Sequence, residues 1–170
     1  KKQAIDFLFT QNDLLKNIKF NAFHSHIENR FKSRITSKNW NWLESQPARG
    51  AKPFHGFHVF DIYRHMGLLK SGNVDKIIET MDKCRISWGK IKEIFIGDAV
   101  VERQPLEFYE SKLRLGEKKD ENFHIIDTSL KKNDYVSLHW DFVCDKLTPR
   151  QKNNLSFWTG YHLKLTNEII

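Results

Sequence analysis

The sequence predicts an α+β protein: a helical first half, then a small β-barrel, then a closing helix. Three observations predict it. Up to Cys84 the apolar residues recur mostly at helical spacing. Beyond Cys84 short runs alternate apolar and polar residues between turn residues. The final stretch returns to helical spacing behind a Thr148-Pro149 start.

A first helix is expected over 2–18, where Ala4, Ile5, Leu8, Phe9, Leu15 and Ile18 keep close to helical period. A second is expected over about 23–33, through Phe23, Ile27 and Phe31. A short helix over 37–45 holds Trp40, Trp42 and Leu43. The run QPARGAKP (46–53), with two prolines and a glycine, reads as a loop or boundary. PFHGFHVFDIYRHMGLL (53–69) fits neither period and is expected to be mixed, helical towards Leu69, until Ser71 and Gly72 break it. Asn73 then suits the N-cap of VDKIIETMDKC, whose Ile77, Ile78 and Met81 form one stripe.

After Cys84, ISWGKIKEIFIG alternates as a half-buried strand does, and Gly97-Asp98 turns the chain into AVVERQPLEF. KLRLG (112–116) and ENFHIID (121–127) are further strands. KKND turns into YVSLHWDFV (135–143), read as one strand. Its alternation sets Val136, Leu138 and Trp140 on one face, and Tyr135, Ser137, His139 and Asp141 on the other, polar face. Short strands parted by turns suggest a small barrel. Thr148 is the N-cap and Pro149 the first turn of a closing helix, with Leu155, Trp158, Tyr161 or His162, and Leu165 on one face. The expected division is a helical region over 1–83 and a barrel with its helix over 84–170.

Composition narrows the class. Apolar residues make up 39% and charged residues 29% of the 170, as in a folded chain. No run approaches the roughly 18–20 apolar residues of a membrane span, so no membrane is expected. Charges and amides break the apolar stretch that follows the basic start, so no export signal is read. Two cysteines are too few for a disulfide framework, and reduced thiols in the cytoplasm are the expectation. A chain that starts without Met is expected to be a fragment or a processed product. Net charge is +7, and residues 1–83 hold most of it, with 14 Lys and Arg against 8 Asp and Glu. That basic half suits an acidic protein surface, nucleic acid, or plain solvation.

Several residues carry possible chemistry. Cys84 lies between Lys83 and Arg85 at a helix–strand junction, where a thiolate is favoured. The commoner role for such a cysteine is that of a small core hydrophobe. His139, on the polar face of its strand, is either a metal ligand or a hydrogen-bonded histidine. His55 and His58 form an H-x-x-H pair, whose spacing allows two imidazoles on one ion. The thiols stand too far apart for a closed zinc finger, and no Cys-x-x-Cys occurs. Phosphate-binding, dinucleotide-binding and nucleophile-elbow motifs do not occur, and no carboxylate pair singles itself out for acid–base work. An enzyme is therefore the lesser expectation.

CRISWGKIKEIFIGDAVVE and KKNDYVSLHWDFVCDKLTPRQ resemble the small HypC-type chaperones of [NiFe]-hydrogenase maturation. The shared pattern is Cys84, then Gly89, Lys90, Ile91 and Ile94. It continues with Asp134, Val136 and His139, and with a helix after Thr148. The match covers roughly 84–160. It departs at Trp88, where the family has Pro, at Asn133, where it has Gly, and in the internal position of Cys84. The resemblance implies an OB-like β-barrel with a C-terminal helix. It implies a non-catalytic accessory role, binding a maturation scaffold or a hydrogenase large-subunit precursor. It also implies iron held by Cys84 and His139, with Arg85, Trp88, Trp140 and Asp141 as partner-binding residues.

The whole chain also resembles a set of prokaryotic proteins of uncharacterised function, through FHVFDIYRHMGLL, MDKCRISWGKI and VSLHWDFVCDKL. That resemblance spans His55, His58, Cys84 and His139 together and makes a joint metal site worth testing. Two other functions stay open. One is a nucleic-acid-binding small-barrel module, with Trp40, Trp42, Arg30, Arg34 and Lys38 on phosphates. The other is a metalloenzyme using the three histidines and Cys84.

Overall fold

The computed structural model describes residues 18–51, 55–62 and 73–168. The helix expected over 2–18 and the chain from 63 to 72 therefore lie outside the described residues, apart from Ile18. Helix α1 spans Phe20–Phe31 and buries Phe23, Ile27 and Phe31, one residue per turn on a single face. Helix α2 spans Ser37–Ser45 behind Thr36, whose side chain accepts from the Asn39 N–H, and it buries Trp40 and Leu43. After a turn through 46–50 come a single helical turn, α3 (His55–Phe57), and a π-helical stretch, His58–Ile62. Phe23, Ile27, Phe31, Trp40 and Leu43 close a first core with Phe57, and Trp158 from the far end of the chain packs on it.

Helix α4 spans Val74–Cys84, and its N-cap is Asn73, as the sequence indicates. Ile78 and Met81 are buried on its stripe, and so are Asp82 and Cys84. Strands β1 (Ser87–Ile94) and β2 (Asp98–Arg103) form a hairpin that turns at Gly97, whose φ is +81°. Gln104 and Pro105 end β2, because proline has no N–H to continue a ladder. AVVERQPLEF is thus two strands: β2, then β3 (Leu106–Tyr109), which pairs with β4 (Lys112–Leu115) as a separate hairpin. Glu110 and Ser111 turn that hairpin with φ of 47° and 62°. Strand β5 spans Lys119–His124.

The segment YVSLHWDFV corrects the sequence reading. It is two strands, β6 (Tyr135–His139) and β7 (Phe142–Lys146), folded back at Trp140 and Asp141. Trp140 turns the chain with φ of 54°. Apolar residues on both sides of the turn make the run look continuous. Trp140 therefore stands at a turn and does not share the face of Val136 and Leu138. The other face is solvated only in part: Tyr135 is exposed, but Ser137 is 1% exposed and donates to the Asp145 carbonyl.

Five strands close into a barrel in the order β1-β2-β5-β7-β6. Without the β3–β4 hairpin, the ring runs first, second, third, fifth, fourth, which is the Greek-key order of an OB-like barrel. Ile91, Ala99, Val101, Phe123, Val136 and Leu138 fill it. One seam is thin: β5 meets β7 in parallel at a single pair, His124 with Phe142. Helix α5 (Pro149–Asn167) starts from a capping box of Thr148 and Gln151 and buries Leu155, His162 and Leu165. A further core joins Val59, Phe60, Ile78 and Met81 to Leu106, Leu113 and Leu163. It draws on both sides of the division expected at Cys84.

Candidate metal centre

Three sequence-distant residues meet where the helical layer touches the barrel. His55 is the first residue of α3, Cys84 the last of α4, and His139 the last of β6. The turn after β6 is fastened on two sides. The Trp140 N–H donates to the Lys83 carbonyl at 2.7 Å, and the His124 N–H donates to the Asp141 carbonyl at 2.8 Å. The first of these bonds ties the residue after His139 to the residue before Cys84, so the two side chains share one corner.

Ligand atoms of His55, Cys84 and His139 all lie within 4.8 Å of one another. Cys84 Sγ is 3.4 Å from His55 Nε2. Metal–sulfur and metal–imidazole bonds of about 2.3 and 2.0 Å at a tetrahedral angle place two such atoms about 3.5 Å apart, so this pair stands at ligand spacing. The His55 and His139 rings meet edge to face, with centroids 5.3 Å apart. His55 Nε2 also lies 2.7 Å from the Cys84 carbonyl. A carbonyl only accepts, so the nitrogen carries the proton there, and binding a metal exchanges that bond for coordination.

His139 Nε2 is buried and has no hydrogen-bond partner. Burial lowers the pKa of His139 below the usual histidine value, and the neighbouring His55 lowers it further, against a smaller opposing pull from the Cys84 carbonyl. The shift favours the neutral imidazole, the form that ligates metals. His58 stacks on His55 with centroids 6.2 Å apart, and burial, His55 and Arg30 lower its pKa too. It stands behind the cluster and adds no donor to it.

An unpaired buried nitrogen costs about 1–3 kcal/mol. His139→Leu is therefore expected to leave the metal-free protein as stable as before or up to about 1 kcal/mol more stable. Urea unfolding in the presence of a chelator measures this. A clear loss of stability would mean that the ring's contacts with His55 and the Cys84 carbonyl outweigh the unpaired nitrogen.

The four expected partner-binding residues part company. Arg85 is corrected: it is 1% exposed and faces inward. Its Nε donates to Asp82 at 3.0 Å, and its terminal nitrogen donates to the Gln104 carbonyl at 2.6 Å. Trp88 packs partly buried against Ile86, Leu147 and Leu155. Trp140 and Asp141 are exposed at the β6–β7 turn, and Lys83 pairs with Asp141 at 3.4 Å.

The sequence reading missed the buried charges beside the cluster. Asp82 accepts from Arg85, from Arg103 at 2.6 Å and from the Leu106 N–H at 2.8 Å, and Arg103 also holds Glu121. A signal was present: Asp82 lies next to the stripe residue Met81, with an arginine three places on. An acid at the edge of an apolar stripe beside a basic residue marks a buried pair. Neither cysteine is in a disulfide; Cys84 is buried and Cys144 exposed.

Among the described residues no helix is long and apolar enough to cross a membrane. No curated protein and no solved structure matches this chain. One family model does match, over residues 2–170, and it is described as a family of unknown function. This agrees with the whole-chain resemblance and lends nothing to the hydrogenase-maturation one. The chain belongs to the DUF6390 family.

Proposed function

We propose that this protein is a metal-binding accessory protein, which holds a transition metal at Cys84, His139 and His55 and presents it to a protein partner. The observation that carries the reading is the convergence of three donor atoms within 4.8 Å from three separate elements, one of them from a histidine whose Nε2 is buried without a partner. Thiolate with imidazole suits iron, zinc or copper. Iron, and [NiFe]-hydrogenase maturation as the setting, follow from the resemblance to HypC-type chaperones. The OB-like order and the closing helix are in keeping with it. A metalloenzyme is the second reading, favoured by the three-ligand set, since three protein ligands leave a coordination position open.

The test is metal content after anaerobic purification, with iron and zinc quantified together. Stoichiometric metal is expected in the unaltered protein. It is expected to vanish in Cys84→Ser, His139→Ala and His55→Ala, and to persist in His58→Ala. Metal retained in Cys84→Ser, or none above background in the unaltered protein, overturns the site. Co-purification with a hydrogenase large-subunit precursor tests the setting separately. A metal-loaded protein that ignores the precursor keeps the site and loses the maturation role.

A further inference from the structure

A groove of about 720 Å³ opens beside the cluster. Its walls are α4, the β3–β4 hairpin, the edge of β5 and the Trp140–Asp141 turn. Phe108, Tyr109 and Trp140 stand exposed around it. Six acidic side chains line it against three basic ones, and with Arg85 on Asp82 and Arg114 on Glu107 counted as well the net is −1 in a chain of +7. The groove therefore opposes the sign of the molecule that carries it.

A second observation concerns the main chain. Strand β5 pairs with β2 from Lys119 to His124 but with β7 only at His124. The His124 N–H points to the Asp141 carbonyl, away from β2. In an antiparallel ladder this direction alternates, so the main-chain groups of Asn122 and Asp120 also point away from β2. No main-chain group among the described residues pairs with them there. Such an edge is a template for another strand.

We propose that the groove takes an extended basic segment of a partner protein, which adds as a strand along the open edge of β5. Edge addition supplies main-chain hydrogen bonds, and alternate side chains then read the groove. The acidic lining selects lysine and arginine. Tyr109 already carries the Arg114 guanidinium 4.2 Å above its ring, the contact that an incoming arginine makes with an exposed aromatic. This inference takes the need for a partner from the accessory-protein reading. It shares no residue with the metal ligands.

The probe is a pool of labelled peptides about six residues long, the usual length of a strand, with Lys or Arg alternating with apolar residues. A pool with Glu in place of the basic residues is the control. Polarisation is expected to show binding of the basic pool only, weakening as salt is raised. Asn122→Pro removes an edge N–H at a position where proline fits a strand, and about a tenfold loss is expected. Asn122→Ala keeps the N–H and is expected to lose clearly less than Asn122→Pro, which separates the edge donor from the side chain. Metal content, measured on every variant, reports the cluster separately. Equal binding of both pools, no binding, or an Asn122→Pro variant that binds unchanged overturns the groove while leaving the metal site standing. Self-association of the protein that Asn122→Pro abolishes would make a second copy the occupant and overturn the basic partner.

Discussion

Asp82→Ala is expected to cost about 3–5 kcal/mol, the usual result of removing one partner from a buried ion pair. Typical domains hold about 5–15 kcal/mol in all, so the variant should melt far earlier or fail to accumulate. The reason is geometric. Arg85 is 1% and Arg103 7% exposed, and both direct guanidinium nitrogens at the Asp82 carboxylate. Alanine leaves two buried cations without that acceptor and strips the Leu106 N–H as well. Asp82→Asn keeps an oxygen for Leu106 and should cost less. Urea unfolding of both variants ranks them. A loss below about 1 kcal/mol for Asp82→Ala would place the arginines in water.

The same carboxylate sets an acid limit. Burial raises the pKa of Asp82, but Arg103 and Arg85 outweigh it and hold the carboxyl below the usual aspartate range. A carboxyl with a depressed folded pKa contributes stability that is fully present above its unfolded pKa. That stability is lost as pH falls through the folded one. The contribution of Asp82 should therefore persist above about pH 4–5 and fade below it. In Asp82→Asn that part of the acid dependence should be missing.

Gly89→Val is the second large effect. A Cβ at Gly89 would stand 2.3 Å from Val101 Cγ1 and 2.8 Å from the Glu102 carbonyl oxygen. The first neighbour is a packed core side chain and the second is backbone of the paired strand, so neither yields easily. Even alanine overpacks here, at about 1–3 kcal/mol, and valine should exceed that. Thermal melting of both variants measures it. Equal melting temperatures for the glycine and alanine forms would mean that β1 and β2 can part without loss.

Gly89 shows what the sequence could say. Its place after Cys84 was visible as a pattern, but the reason for it, the approach of Val101, comes only with strand pairing. Helical spacing revealed α1, α2, α4 and α5, because amphipathic faces are local. Asn73 and Thr148 marked their helix starts through side-chain chemistry that acts within a few residues. The turn at Trp140 stayed hidden because a bulky residue with positive φ is uncommon, and its bonds to Lys83 and from His124 are long-range. Cys84, His139 and His55 were legible as ligand types, while their meeting depends on that turn. Arg85 was misjudged for a related reason. A charge reads as exposed until its partner, Asp82, is known to be inside.

The residues of the proposed metal site stand at 55, 84 and 139, and the third joins the other two only after the β6–β7 turn has docked. Closing loops of that length costs entropy before any contact returns it, so this corner assembles late in folding. A nascent chain that has released His55 and Cys84 from the ribosome still lacks the third donor. An ion would therefore find all three donors only after His139 has joined the other two. On the metal-binding reading proposed above, a bound ion would mark chains in which this corner has closed.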